Sequence, residues 1–297
     1  MDSSLTVIDL FSGIGGIRLG FEETMPINVV ASVELDPLAR FIYRKRFKHF
    51  GEQETEFGDI RKFYPTHFSP RRPSAVIGGF PCTDTSSAGK RQGLSGPESG
   101  LWAEMLRVVE STRPTFVVVE NPEGLRHRGL FNILNDLHES GYISEWQTIG
   151  AARAFGAPHA RERIFVVAYS HALCHRFQVG EESWEEQLRG GVNEPGPYTD
   201  HKDYSLFTAS EAPVGRGEGN DAVPPWLGGI SPQRWAARWQ PPADAGRPKN
   251  SDTPMFASDL AINNAAINLY ALSCVPAQAA IAARRVRYLT ELAGWKF

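Results

Sequence analysis

The stretch Val7-Ile8-Asp9-Leu10-Phe11-Ser12-Gly13-Ile14-Gly15-Gly16-Ile17-Arg18-Leu19-Gly20 decides the fold. An apolar run passes into a glycine turn and then into residues with helical spacing. This order of strand, turn and helix brings backbone close to a bound nucleoside cofactor. Glycine permits that approach because it has no Cβ. Counting from Gly13, the dinucleotide-binding pattern requires glycine at position 18, where Arg18 stands, so S-adenosylmethionine fits better than NAD. Glu34, at the end of the next strand candidate, is placed to accept hydrogen bonds from ribose hydroxyls. By itself the glycine cluster reads equally well as a structural turn beside a solvated carboxylate, because such loops are common.

Around this stretch, residues 5–170 read as repeated strand and helix units, which predicts an α/β fold with a mainly parallel sheet covered by helices. The strand candidates are Leu5–Leu10, Asn28–Val33, Ala75–Ile77, Thr115–Val119 and Ile164–Ala168. Helical spacing runs over Leu38–Phe47 and over Leu101–Ser111, the latter bounded by Gly100 and Pro114. The unbroken apolar run Phe116-Val117-Val118-Val119 suits a sheet buried on both faces. After Ser170 the texture changes to Gly, Pro, Trp and charge, with breakers at Gly190-Gly191, Pro195-Gly196-Pro197, Pro224-Pro225 and Pro241-Pro242. Helix-compatible, Ala-rich sequence resumes from Ala257 through Arg287, with Pro276 where a helix can begin. The expected organisation is a cofactor-binding domain over residues 1–170, a smaller loop-rich domain over 171–256, and a C-terminal helical segment, 257–297, returning to the first.

With 41% hydrophobic and 22% charged residues, the 297-residue chain has the composition of a soluble globular protein with a sizeable core. The start lacks the pattern of a signal peptide, and nowhere do about 18 apolar residues run together, so neither export nor a membrane partner is expected. Three cysteines, Cys82, Cys174 and Cys274, are far apart and odd in number. They support neither a disulfide framework nor a CxxC metal site, so a reducing compartment and no metal are expected. The net charge of −3 decides nothing about nucleic acid, because phosphate binding depends on local basic surface. Arg40, Arg44, Lys45, Arg46 and Lys48 form one basic run; Lys90 with Arg91, Arg161 with Arg163, and Arg284, Arg285 and Arg287 form others.

Gly78-Gly79-Phe80-Pro81-Cys82 follows the run Ala75-Val76-Ile77, which puts the cysteine just beyond the carboxyl end of a strand, where open α/β sheets place ligand sites. A lone cysteine is more often a small buried hydrophobe than a catalyst. Here it has company: Asp9–Gly16, Val33-Glu34-Leu35-Asp36, Gly58-Asp59-Ile60, Ser86-Ser87-Ala88-Gly89-Lys90, Glu120-Asn121 and Ala157-Pro158-His159-Ala160-Arg161-Glu162-Arg163. With these motifs in this order the chain resembles the DNA cytosine-5 methyltransferase family, bacterial or phage type. The resemblance is strong over residues 5–170 and weak in the C-terminal helix. It implies an S-adenosylmethionine-dependent, Rossmann-like α/β sheet with a smaller loop-rich target-recognition domain at 171–256. It also implies that Phe11, Gly13 and Gly15 line the cofactor site, that Glu34 holds the ribose, that Asp59 with Ile60 meets the adenine, and that Ser273 reaches the methionine part. Cys82, Glu120, Arg161 and Arg163 would form the reacting site, and Ser86, Lys90 and Arg91 would contact DNA from a loop, Thr83–Gly100, that closes over it.

The residue types suit the chemistry that the resemblance implies. C5 of cytosine is a poor nucleophile, so the ring is first activated by adding a thiolate, Cys82, to C6. A protonated Glu120 would hydrogen-bond N3, and Arg161 would donate to O2, as charge moves into the ring. C6 must be approached perpendicular to the ring plane, so the base has to leave the duplex. Four positions depart from the family: Thr83 stands where glutamine is usual, Pro122 where valine commonly follows Glu-Asn, and His159 where glutamine opens the arginine motif. The fourth is Ala271-Leu272-Ser273-Cys274-Val275, in place of a Gly-Asn motif. Duplex DNA is the expected partner, a cognate restriction endonuclease a candidate one, and a monomer in the cytoplasm of a bacterial or phage-infected cell the expected state. Two other functions stay open at this level: RNA cytosine-5 methylation, and DNA binding by a degenerate homologue without turnover.

Overall fold

The unbroken apolar run of the sequence is buried in the molecule, as its composition predicts. Phe116, Val117, Val118 and Val119 lie in one inner strand of a sheet covered on both faces, each at most 1% exposed. The computed structural model describes residues 4–47, 54–65, 73–81, 100–151, 162–177, 183–190 and 274–295. Cys82, Ser86, Lys90, Arg91, Arg161 and Ser273, and residues 191–256 of the expected recognition domain, lie outside these.

The described strands are β1 (Leu5–Leu10), β2 (Ile27–Val33), β3 (Thr55–Phe57), β4 (Ala75–Gly78), β5 (Phe116–Pro122), β6 (Tyr142–Gly150) and β7 (Glu162–Ser170). They form one sheet in the order β3-β2-β1-β4-β5-β7-β6. β1 to β5 are parallel, whereas β7 runs antiparallel between β5 and β6. The dinucleotide-binding sheet keeps the order 3-2-1-4-5-6, and the antiparallel strand inserted here between β5 and β6 departs from it within a Rossmann-like sheet. The chain turns from one direction across the sheet to the other at β1 and β4, and there the carboxyl ends open a crevice of the kind that holds ligands.

Helices α1 (Gly16–Glu22), α2 (Pro37–Arg46) and α3 (Leu101–Thr112) link the parallel strands. Asp36 caps α2, its Oδ1 accepting from the backbone N–H of Leu38 at 2.7 Å and of Ala39 at 2.9 Å, with Pro37 in the first turn. Side chains of α1 and of the C-terminal helix Pro276–Leu292 cover one face of the sheet; α3 and the helix Leu130–Glu139 cover the other. Leu173 and Trp184 are buried in the first of these clusters, so the sheet's core takes in side chains from beyond Ser170. Among the described residues no helix is long and apolar enough to cross a membrane.

Arg18, where the dinucleotide pattern wants glycine, is buried beneath the glycine turn with its side chain 2% exposed. Its guanidinium meets Glu22 at 2.7 Å, Glu54 at 2.8 Å and the hydroxyl of Tyr43 at 2.8 Å, and lies 4.0 Å from the centre of the Phe47 ring. Tyr43 in turn donates to Asp9 Oδ2 at 3.1 Å. Asp9 is fully buried, and burial pushes its carboxyl up to about 7, against the opposing pull of Arg18 and the Tyr43 hydrogen bond.

That shift makes stability depend on pH. In the unfolded chain an aspartate titrates near ~3.9, so between about pH 4 and 7 the native state holds a proton that the unfolded state has lost. The contribution is complete below the unfolded value and disappears as pH rises through about 7. Urea unfolding at pH 5 and pH 8 is expected to find wild type losing more stability over that rise than Asp9→Asn, whose neutral amide has nothing to ionise. Parallel pH profiles for the two proteins would remove Asp9 as the titrating group.

Candidate active site

The turn after β1 is strained and held from below. Phe11 takes φ 52°, a left-handed conformation unusual for a bulky residue, and Gly13 and Gly15 follow at φ 53° and 88°. Strain of this kind costs on the order of 1–3 kcal/mol and collects at ligand-binding turns. Gly15 has a second reason to be glycine, since a Cβ there would lie 2.3 Å from the Phe47 ring. α2 closes the turn further: Arg46 donates to the carbonyl of Ile14.

Glu34 is tied into the same turn. Its Oε2 accepts from Gly13 N–H at 2.9 Å and its Oε1 from Asp36 N–H at 2.8 Å. Burial raises its carboxyl above the usual range, and the two backbone N–H groups oppose that rise. A carboxylate offers about four acceptor sites, so two such bonds leave capacity for hydroxyl donors. Beyond β3, Asp59 caps a single 3-10 turn, Ile60–Lys62, with Oδ1 accepting from Arg61 N–H and Arg61 Nε, both at 3.0 Å. The Arg61 side chain, and then its N–H, lower the Asp59 carboxyl below its ordinary value. The Ile60 side chain is buried in the core rather than exposed in the crevice, 4% accessible.

The carboxyl edge of β5 carries the second half of the site. The strand candidate Thr115–Val119 stops short of Glu120; β5 instead continues through Pro122, because Glu120, Asn121 and Pro122 pair with Phe165, Ile164 and Arg163 of β7. The antiparallel direction of β7 brings its amino end to this edge, and Arg163 Nε lies 2.7 Å from Glu120 Oε1 in a largely buried ion pair. A Cβ on Gly79 would lie 2.5 Å from Glu120 Oε2, so the strand exit leading to Cys82 is glycine because the carboxylate occupies that space. Asn121 Nδ2 holds the carbonyl of Phe80 at 3.4 Å, and the Phe80 ring packs 5.8 Å from that of Trp102.

The structure thus gathers Phe11, Gly13, Gly15, Glu34 and Asp59 at the carboxyl ends of β1, β2 and β3, and joins Glu120 to Arg163 beside the exit of β4. Within the described parts of the basic runs, Arg44 stays 64% exposed beside Glu56, whereas several other arginines are engaged by the protein itself. Arg40 donates to the carbonyls of Glu34 and Leu35, and Arg46 to that of Ile14. Arg285 is buried against Glu145 at 2.7 Å, and Arg287 reaches the carbonyl of Thr24. These guanidinium groups hold backbone and bury charge, a use that composition does not distinguish from a phosphate-binding face. Asp9, Tyr43 and Phe47 were not picked out by the sequence as site-supporting residues; their only signal is that Tyr43 and Phe47 stand four apart on the face that α2 turns inward.

The family model for C-5 cytosine-specific DNA methylases matches residues 5–209. The chain belongs to that family. Type II methyltransferase M.SsoII of Shigella sonnei is 35% identical to this methylase over 172 residues, 55% of this chain and 42% of the relative. Type II methyltransferase M2.BsuMI of Bacillus subtilis strain 168 is 32% identical over 231 residues, 74% of this chain and 55% of the relative. The chain therefore spans about half the length of the curated relatives it matches. A solved structure of a Spodoptera frugiperda DNMT2 mutant aligns with a TM-score of 0.47 at 20% identity, over 60% of this chain and 54% of that one. As a methyltransferase family, these methylases use S-adenosylmethionine.

Proposed function

We propose that this chain transfers a methyl group from S-adenosylmethionine to C5 of a cytosine flipped out of duplex DNA, through a covalent adduct on Cys82. The observation that carries the reading is the family match over residues 5–209, which falls on a sheet whose crevice brings Glu120 and Arg163 together at the strand exit leading to Cys82. The cofactor site fits the group by its own chemistry: a glycine turn without side-chain bulk, a half-buried aromatic at Phe11, and a half-buried carboxylate at Glu34 with acceptor capacity toward ribose hydroxyls.

When bound, S-adenosylmethionine supplies an electrophilic methyl group. Phe11, Gly13 and Gly15 would line its site, Glu34 would hold the ribose, Asp59 with the backbone of Ile60 the adenine, and Ser273 the methionine end. Cys82 adds to C6 of the flipped base, which pushes electrons toward C5. Glu120, held at fixed orientation by Arg163, hydrogen-bonds N3 and relays a proton there. Arg161 donates to O2, where negative charge also develops. Ser86, Lys90 and Arg91 contact the duplex, and residues 171–256 choose the target sequence.

Incubating the chain with labelled S-adenosylmethionine and mixed-sequence duplex DNA, followed by bisulfite sequencing, tests substrate and position together. Protected cytosines in one sequence context are the expected result. Label transferred to tRNA but not to duplex DNA would overturn the substrate assignment, and binding of DNA without transfer to either would overturn the enzyme assignment.

A further inference from the structure

A side chain of α3 reaches the short turn that follows β3. Arg107 Nη2 donates to the carbonyl of Ile60 at 2.8 Å and to that of Phe63 at 3.0 Å. Its Nε is fixed by Glu104, one turn earlier, at 2.8 Å, and its guanidinium lies 5.3 Å from the Tyr64 ring centre. One planar cation thus ties both ends of the short turn Ile60–Lys62, whose capping residue is Asp59. The turn also has its own cap, and the N–H groups of Arg61, Lys62 and Phe63 are satisfied within it, by Asp59, Asp59 and Ile60. What the Arg107 bonds add is placement, because a guanidinium fork binds two carbonyls only in one relative orientation.

Resting on the cofactor reading above, we infer that Arg107 is a positioning residue for the adenine end of the cofactor. It fixes the height of the turn from Asp59 to Phe63 over the crevice, so that the Asp59 carboxylate meets the exocyclic amine of adenine. The same helix contacts the strand exit through Trp102 and Phe80, so α3 sets the adenine turn and the base of the segment leading to Cys82 from one rigid body.

The test is binding of the demethylated product, S-adenosylhomocysteine, to the full chain by calorimetry, beside its inosyl analogue, which replaces the amine with a carbonyl. Wild type is expected to prefer the adenosyl ligand by about tenfold or more, the worth of a hydrogen bond to a charged group. Arg107→Met is expected to weaken the adenosyl ligand by roughly tenfold and the inosyl ligand far less, so that the preference collapses. Arg107→Lys, which keeps a donor, should restore part of it. Equal weakening of both ligands, or an unchanged ratio, would overturn the inference, since a merely structural side chain would move both together. If Arg107→Met does not fold, Glu104→Gln removes only the carboxylate that orients the guanidinium, and the same ratio decides. Glu34→Ala separates the two levels of reading. It should weaken both ligands alike through the ribose; if it leaves both affinities unchanged, or wild type binds neither ligand, the cofactor assignment itself fails and the inference with it.

Discussion

Cys82→Ala is expected to abolish covalent capture of a 5-fluorocytosine target while leaving DNA binding in place. After Cys82 has added to C6 and C5 has received its methyl group, release of the base requires loss of the hydrogen at C5. Fluorine at that position cannot leave as a proton, so the wild-type chain should remain on the duplex as an adduct that survives denaturation and depends on S-adenosylmethionine. Mass spectrometry should place the adduct on Cys82. Glu120→Ala should slow its formation about a hundredfold or more, because N3 loses its proton donor as charge develops. Removing Glu120 also deprives Arg163 of its 2.7 Å partner and empties the space against which Gly79 is packed. Glu120→Gln, which keeps the volume, therefore distinguishes lost chemistry from lost shape. An adduct on Cys174 or Cys274, or one formed equally well by Cys82→Ala, would remove the proposed nucleophile.

Replacing Arg18 with methionine is expected to destabilise the chain by about 3–5 kcal/mol, the cost of breaking a buried ion pair and stranding its partners. The cation serves Glu22, Glu54 and the Tyr43 hydroxyl together, and its own side chain is 2% exposed. Methionine fills much of the volume but removes the guanidinium from two carboxylates that are only 16% and 13% exposed. The triple replacement of Arg18 by methionine and of Glu22 and Glu54 by glutamine should recover a large part of the loss, since no buried charge is then left unmatched. Urea midpoints for the three proteins measure this directly. A loss below about 1 kcal/mol for Arg18→Met, the range of exposed pairs, would mean that the network contributes no more than a surface salt bridge.

Arg18 also illustrates where sequence reading stops. From the sequence its significance is negative: it occupies the place of a glycine and argues against a dinucleotide. Its role as the cation beneath the glycine turn depends on Tyr43 and Glu54, which neither motif nor periodicity connects to it. The strands divide the same way. β1, β2, β4, β5 and β7 were legible because strands buried on both faces must be apolar and β-branched along most of their length. β3 has three residues and lies at one edge, and β6 lies at the other with most of its side chains partly exposed, so neither carries that pattern.

By itself the sequence determined the α/β class, the glycine turn with Glu34 beyond the next strand, the family, and the identity of the candidate reacting residues. These depend on residue type and on spacing within short segments, which local sterics and hydrophobic periodicity record. Only the tertiary structure decided that β7 enters antiparallel and so delivers Arg163 to Glu120, that Arg40 and Arg46 of α2 turn back to hold carbonyls around the glycine turn, and that Arg107 reaches Ile60 and Phe63. The direction in which a strand joins a sheet, and which of several nearby carbonyls a guanidinium meets, follow from packing between distant segments. No local pattern encodes them, because the same arginine can face solvent, phosphate or backbone at nearly equal local cost until the rest of the chain closes around it.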